Sequence, residues 1–475
     1  MSQRKLKAGE VNKGRRREAL APPALRGEDA GASTMRRLKG EPKPSGPRRV
    51  SRETAELKPR AGPMGAVVSR RAADRIRAGH VWVYASDIES SSPGDSVENP
   101  LALVAVADSR GLFLGTALYS PSSQIALRLV SREALDWKGW LELLGKRLRA
   151  AVARRKAMLD DANDACRLCF SEADEVPGLI ADKYGELAIV QLLTKGMNDA
   201  DVSEVCARVL REEIAPAAIL ERPDPRIREM EGIPAPTTGA LWLKDAARPV
   251  ATTLFHLNGL AFHYDANAGQ KTGAFLDQRT NYAAAQDWAR RLGAGNSGFQ
   301  GRALDVCCYQ GGFALHLARV CRQVTGIDAS RASLEVAERN LDANRNEIAG
   351  EVDWIEGDAF EILRDWSDAG QRFDAIVLDP PAFAKSKHAV EGALRGYKEL
   401  NLRAMKMARP GGLIVTCCCS HHVSRADFEA AVAAAAGDAS RRVRLLERRG
   451  AAPDHPVVLT LPETEYLKCL VLEVE

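Results

Sequence analysis

Long apolar runs are missing from this 475-residue chain. No window approaches the ~18 uninterrupted apolar residues of a spanning helix, so no membrane partner is expected. No apolar stretch follows the charges of the N-terminus either, and a secretory signal is not expected. A disulfide framework is lacking too. The ten cysteines include three consecutive ones, Cys417, Cys418 and Cys419, and adjacent cysteines pair poorly. A reducing cytoplasm is the expected compartment. Cys166 and Cys169 form one C-x-x-C without the second pair or nearby histidines of a zinc site, so no metal is expected. The pyrophosphate fingerprint G-x-G-x-x-G does not occur before a helix, and no internal repeat appears at a fixed period.

A strong net charge is also missing: the chain carries only +4. Its distribution is uneven. Residues 1–62 hold 17 Lys/Arg against 7 Asp/Glu, while residues 63–475 hold 50 against 56. The basic balance is thus confined to a tail rich in Arg, Pro, Gly and Ala, too poor in large apolar residues to fold alone. Such a tail contacts phosphates without sequence preference or is simply solvated.

What is present fits about three domains at ~150 residues each, with 45% hydrophobic and 27% charged residues. After the tail, short apolar runs at 65–68, 81–84, 101–107, 112–118 and 125–129 are separated by turn signals such as Ser92-Pro93-Gly94-Asp95. They predict a small β-rich domain over 65–138. A helix at 140–158 follows, then strands at 167–170 and 187–191, a helix at 199–213 and a strand at 218–220. This predicts a central α+β domain over 139–252. From 253 to 475 strands and helices alternate. Strands are expected at 303–307, 323–327, 352–355, 375–378 and 413–416, with helices at 312–320, 330–344, 394–408 and 426–437. The fold class is therefore α/β, with a Rossmann-like parallel sheet whose ligand lies beyond the strands' carboxyl ends.

Four ordered motifs mark that sheet edge. Asp305-Val306-Cys307-Cys308-Tyr309-Gln310-Gly311-Gly312-Phe313 reads as a strand, a glycine turn and a helix start, which lets backbone approach a ligand closely. Asp328 ends the next strand 17 positions beyond Gly311, where a carboxylate accepts ribose hydroxyls. The third strand ends at Glu356-Gly357-Asp358, and the fourth at Asp379-Pro380-Pro381-Ala382-Phe383. Without a pyrophosphate to cradle, an acidic Asp305 can lie beside a cationic ligand without repelling it. Together the motifs point to a methyltransferase using S-adenosylmethionine rather than a dinucleotide oxidoreductase. Asp305, Tyr309, Gly311, Asp328, Asp358 and Asp379 are the candidate cofactor contacts.

These segments, with Phe275-Leu276-Asp277-Gln278-Arg279, Thr416-Cys417-Cys418-Cys419-Ser420-His421-His422, Ala452-Pro453-Asp454-His455-Pro456 and Tyr466-Leu467-Lys468, resemble the bacterial 23S ribosomal RNA cytosine-5 methyltransferases. Those enzymes combine an N-terminal PUA domain with a class I methyltransferase domain. Gly79-His80-Val81-Trp82-Val83-Tyr84 is similar to the start of the PUA domain, and the resemblance covers about residues 65–475. It implies S-adenosylmethionine as methyl donor and 23S ribosomal RNA or a large-subunit precursor as partner. It adds Gln278 and Arg279 as cofactor contacts. A homodimer stays open.

Carbon 5 of cytosine is too weak a nucleophile to take a methyl group unaided; a thiolate adding at carbon 6 activates it. A base must then remove the carbon-5 proton. The resemblance selects Cys419, directly before Ser420, as the nucleophile. Strand alternation turns Cys417 and Cys419 to one side and Cys418 to the other. The Asp-Pro-Pro strand end lacks the second thiol of the larger RNA cytosine-5 family, so proton removal falls to another group; Asp379, His421 and His422 are candidates. Asp379 is also placed to hold the cytosine amino group. Pro380 frees carbonyls toward a planar base, Phe383 either stacks on a flipped cytosine or packs in the core, and Lys385 meets flanking phosphates. Two rivals remain. An exocyclic-amino methyltransferase would use Asp-Pro-Pro without a thiol, and an RNA-binding assembly factor would use no chemistry at all.

Overall fold

The computed structural model describes residues 65–91, 103–234, 239–268, 273–295 and 298–475. The basic tail, the turn at Ser92–Asp95 and Leu101 lie outside these. Among the described residues no helix is long and apolar enough to cross a membrane.

Three sheets follow one another along the chain. The first has six strands: β1 (Gly65–Val68), β2 (Trp82–Tyr84), β3 (Ile88–Ser91), β4 (Leu103–Asp108), β5 (Phe113–Tyr119) and β6 (Ile125–Ser131), in the order β2-β6-β5-β4-β1-β3. Helix α1 (Arg70–Arg77), capped by the Ser69 hydroxyl, buries Ala72, Ala73 and Ile76 against it. This helix has no strong apolar run and is not expected from the sequence; its three-residue stripe suffices because the sheet supplies the rest of the core.

Helix α2 (Trp137–Lys156) leads into a five-stranded sheet of β7 (Cys166–Phe170), β8 (Leu179–Tyr184), β9 (Leu187–Leu192), β10 (Ala218–Glu221) and β11 (Gly239–Leu243), ordered β11-β10-β9-β8-β7. Helix α3 (Ala200–Ile214) packs on α2, and the short α4 (Pro225–Glu231) follows β10. Cys166, Cys169 and Cys206 are fully buried in this core. The back of α4 is tied down by buried charge. Arg228 donates to Glu221 and to Asn198 Oδ1 at 2.9 Å, and Glu231 accepts from Arg128 of β6 at 3.0 Å. Arg128 also lies 3.6 Å from Glu172, which accepts from the Trp82 indole at 2.9 Å, so the first two sheets share a buried ionic seam.

A hairpin of β12 (Thr252–Leu257) and β13 (Leu260–Asp265) and helix α5 (Arg279–Gly295) precede the third sheet. Its strands are β14 (Arg302–Val306), β15 (Gln323–Asp328), β16 (Glu351–Glu356), β17 (Phe373–Leu378), β18 (Ala408–Cys418), β19 (Val443–Arg449) and β20 (Lys468–Val474), ordered β16-β15-β14-β17-β18-β20-β19. The first five are parallel; β20 runs antiparallel to β18, and β19, antiparallel to β20, closes the edge in the direction of the first five. Helices α6 (Gly312–Ala318), α7 (Arg331–Ala343), α8 (Ala359–Asp368), α9 (Val390–Met407) and α10 (Arg425–Asp438) cover its faces. This is the expected Rossmann-like class I arrangement behind a small β-rich domain and a central α+β one. Strand order reverses between β14 and β17, the position at which open α/β sheets bind ligands.

Candidate active site

The cavity at that reversal has a volume of about 1030 Å3. Its floor is the turn after β14. Gly311 caps α6 with φ of 86°, and a Cβ there would meet the Trp354 ring at 2.8 Å. A Cβ on Gly312 would fall 2.4 Å from the buried Tyr282 ring, which packs edge-on against Phe313. Cys307 and Tyr309 hold left-handed φ of 63° and 50° without being glycine. Such backbone is costly and persists where the surroundings enforce it. The Tyr309 amide donates to Asp328 Oδ2 at 2.9 Å, and its hydroxyl to the Gly273 carbonyl at 2.9 Å.

Asp328, ending β15, also accepts from the Ser330 amide at 2.8 Å. Each carboxylate oxygen is thus oriented by one amide and keeps a lone pair for a further donor. Asp358 caps α8, accepting from the Phe360 and Glu361 amides at 2.8 and 3.1 Å. Asp379, after β17, accepts from Gln278 Nε2 at 2.9 Å, and Gln278 is itself held through Oε1 by Asn281 at 2.6 Å. Tyr309, Asp328, Asp358, Asp379 and Gln278 all line the cavity, with Pro380, Phe383 and Cys419.

Four expected contacts are not on that wall. Asp305 is fully buried behind the turn, where Oδ2 accepts from the Ala314 amide at 2.8 Å and Oδ1 has no partner. Burial and the nearby Asp379 push its carboxyl well above the ordinary range. It fixes the start of α6 rather than facing a ligand. Gly311 sits behind Gly312, which is the glycine on the wall. Arg279 is 6% exposed and turns away, toward the Ala165 carbonyl at 3.5 Å and Asp454 at 3.9 Å. Lys385 is exposed and stands off the cavity.

The three consecutive thiols separate as strand alternation predicts. Cys417 is buried with the core behind the turn, and its hydrogen bond to Cys469 together with burial pushes its thiol well up. Cys418 is buried on the opposite face. Cys419 lies past the end of β18, partly exposed, on the cavity wall, with Sγ 3.6 Å from the Pro380 carbonyl. Cys307 and Cys308 also reach the wall, but burial, with the carboxylates of Asp328 and Asp305 near both and Asp379 near Cys307, pushes both thiols up. His421 is exposed on the wall with its ring 5.4 Å from that of Tyr466; His422 is exposed off it. Phe383 reaches the cavity wall and packs on Tyr397 at 4.8 Å.

Several wall residues come from the central domain and carry no motif. Arg167 and Phe170 project from β7, and Arg226, Ile227 and Met230 from α4. Behind them, the Ala452–Pro456 segment acts as a latch. Arg155, 1% exposed, binds Asp174 through two bonds of 2.7 and 2.8 Å and donates to the Asp454 carbonyl at 3.1 Å. Asp454 Oδ2 accepts from the Arg167 amide at 2.9 Å. This latch holds β7 against the third sheet.

The donor set fits S-adenosylmethionine: a carboxylate for ribose hydroxyls at Asp328, an apolar flank at Ile327 and Phe360, and a helix start at Gly312. Comparison with known proteins agrees. Residues 67–132 match a PUA-like domain, and residues 188–471 match the S-adenosylmethionine-dependent methyltransferase model. Ribosomal RNA large subunit methyltransferase I of Pseudoalteromonas translucida is 34% identical over 84% of this chain and 96% of its own length. Its namesake in Erwinia tasmaniensis is 34% identical over 82% and 94%. A methyltransferase crystallised with SAH shares the fold with a TM-score of 0.69 at 19% identity, over 86% of this chain and 99% of its own.

Proposed function

The chain belongs to the S-adenosylmethionine-dependent methyltransferase family, and on that premise we propose that it methylates carbon 5 of a cytidine in large-subunit ribosomal RNA through a covalent bond to Cys419. The names of its relatives supply the RNA class. One observation carries the rest: of the three consecutive thiols, Cys419 alone reaches the cavity, beside the Asp379-Pro380 strand end.

In this reading the target cytidine leaves its stack and enters between Phe383 and the central-domain wall. The Cys419 thiolate forms a carbon–sulfur bond at carbon 6, and the ring electrons move to carbon 5. The bound donor supplies an electrophilic methyl group. Asp379, oriented by Gln278, accepts from the exocyclic amino group. Loss of the carbon-5 proton to a base and departure of the thiolate restore the aromatic ring; Asp379 and His421, which share the wall with Cys419, are the candidates for that base. The expected division at 62/65, 138/139 and 252/253 assigns RNA affinity to the first folded domain and chemistry to the last.

Replacing Cys419 with Ala tests it. Carbon-5 methylation of ribosomal RNA, read by mass mapping, should fall by about 10^4-fold or more, as for loss of a covalent nucleophile. Affinity for S-adenosylmethionine should stay within about twofold. An exocyclic-amino mechanism would survive the substitution, and retained 5-methylcytidine would refute the proposal.

A further inference from the structure

Behind the thiol end of the cavity lies a buried cation that the reaction above does not use. Lys468 opens β20 directly opposite Cys418 and is 3% exposed. Its Nζ donates to the Ser420 carbonyl at 2.8 Å and the Tyr466 carbonyl at 2.9 Å. Both acceptors are neutral, and among the described residues no carboxylate stands within ion-pair distance of it. A buried ammonium held only by carbonyls is costly, and it lowers the cost of any anion formed nearby. The residue it grips, Ser420, is fastened on its other side too: Oγ accepts from the Ala384 amide at 3.1 Å and shares a hydrogen bond of 2.9 Å with the Tyr397 hydroxyl. Cys419 therefore hangs between a fixed Ser420 and the Pro380 carbonyl.

We propose that Lys468 is a positioning residue whose charge holds the Cys419 thiol as a thiolate and whose bond to the Ser420 carbonyl fixes the direction of the sulfur. The other groups facing this corner do not supply that charge. Arg425 is paired with Glu465 at 2.7 Å. Tyr397 stays neutral, because burial and the adjacent thiols raise its hydroxyl. Across the cavity Asp379 and the Pro380 carbonyl oppose ionisation of the thiol, and His421 shares that wall with its ring 5.4 Å from that of Tyr466. Burial pushes the Lys468 ammonium down, and the charges of Cys418 and Cys419 push it back up.

The inference rests on Cys419 being the nucleophile, but its test needs no RNA. Alkylation of the full-length protein by iodoacetamide, followed at the Cys419 peptide by mass spectrometry across pH, gives the midpoint at which the thiolate forms. In the wild type that midpoint should lie below the ordinary thiol value of about 8.5. Lys468→Met should raise it by about one unit, roughly tenfold slower alkylation at pH 7, while Lys468→Arg should restore it. A residue acting only as packing would leave the midpoint unmoved while lowering stability. An unmoved midpoint in folded Lys468→Met overturns the proposal. If that variant does not fold, a wild-type midpoint at or above about 8.5 overturns it instead. Absent methylation of RNA with a shifted midpoint would count against the reaction and leave the Lys468 assignment standing.

Discussion

The two ends of the cavity are built in opposite ways. The end proposed for the cofactor is made by the segments that follow three neighbouring parallel strands, β14, β15 and β16, and its polar groups are aimed by local backbone: Asp328 by the amides of Tyr309 and Ser330, Asp358 by its own helix start. The thiol end is gathered from β7, α4, the strand ends of β17 and β18, and the residues before β20, and it is held by buried side-chain charge. Local geometry makes a binding site that survives changes elsewhere. An assembled site depends on every contact that brings its parts together.

Disturbing the latch should separate the two ends most sharply. Arg155→Met takes the shared guanidinium from Asp174 and the Asp454 segment; because Asp174 keeps Arg154, the cost should lie at the lower end of the about 3–5 kcal/mol of a broken buried pair. Denaturant unfolding should show that loss, and RNA methylation should fall with it. S-adenosylmethionine affinity by calorimetry should change by less than about threefold; a parallel collapse of cofactor binding would erase the distinction drawn here.

Acid should act on the cofactor end. His316, buried in α6, donates from Nδ1 to the Gly312 carbonyl at 2.7 Å, while Nε2 accepts from Asn258, whose other amide hydrogen goes to the Arg279 carbonyl. The ring is therefore locked neutral, and burial lowers its pKa from 6.5 to about 4. Unfolded chains take up this proton first, so the stability it contributes is complete above pH 6.5 and lost as pH falls toward 4. The loss is about 3 kcal/mol at most. His316→Gln should flatten that part of the stability profile, measured by thermal unfolding from pH 7 to 4.

The smallest effect sharpens the same contrast from the other side. Gly312→Ala presses a methyl group onto the buried Tyr282 ring. Overpacking of this kind costs about 1–3 kcal/mol, and the displaced turn should weaken cofactor affinity roughly tenfold. The alkylation rate of Cys419 should not move.

The same contrast explains what could be read in advance. Strands β14, β17 and β18 and the glycine turn were legible because a buried parallel strand is rich in consecutive apolar residues and a turn needs glycine at a fixed place. Cys419 was legible through strand alternation and its resemblance to known enzymes. Asp305 was expected from its place before the glycine turn and Arg279 from the resemblance; only the three-dimensional packing sets Asp305 on the Ala314 amide and Arg279 toward Asp454, off the cavity wall. Strands β3, β8, β11, β12, β13, β19 and β20 went unread. Four of them, β3, β11, β12 and β19, are exposed at several positions and so carry little apolar pattern. Arg167, Phe170 and Met230 leave no local signal at all; the chain brings them to the wall shared by Gln278 and Tyr309 from a separate domain.

The seam of Arg128, Glu231 and Glu172 has a practical consequence for dissecting this protein. Deleting the first folded domain would not yield a smaller catalyst lacking only the RNA affinity proposed for that domain. It would strip Glu231 of the guanidinium that neutralises it at 3.0 Å, and with it the anchor of the helix that presents Met230. A truncated chain that fails to methylate would report a broken wall, and only point changes on the outer face of that domain can report on its affinity for RNA.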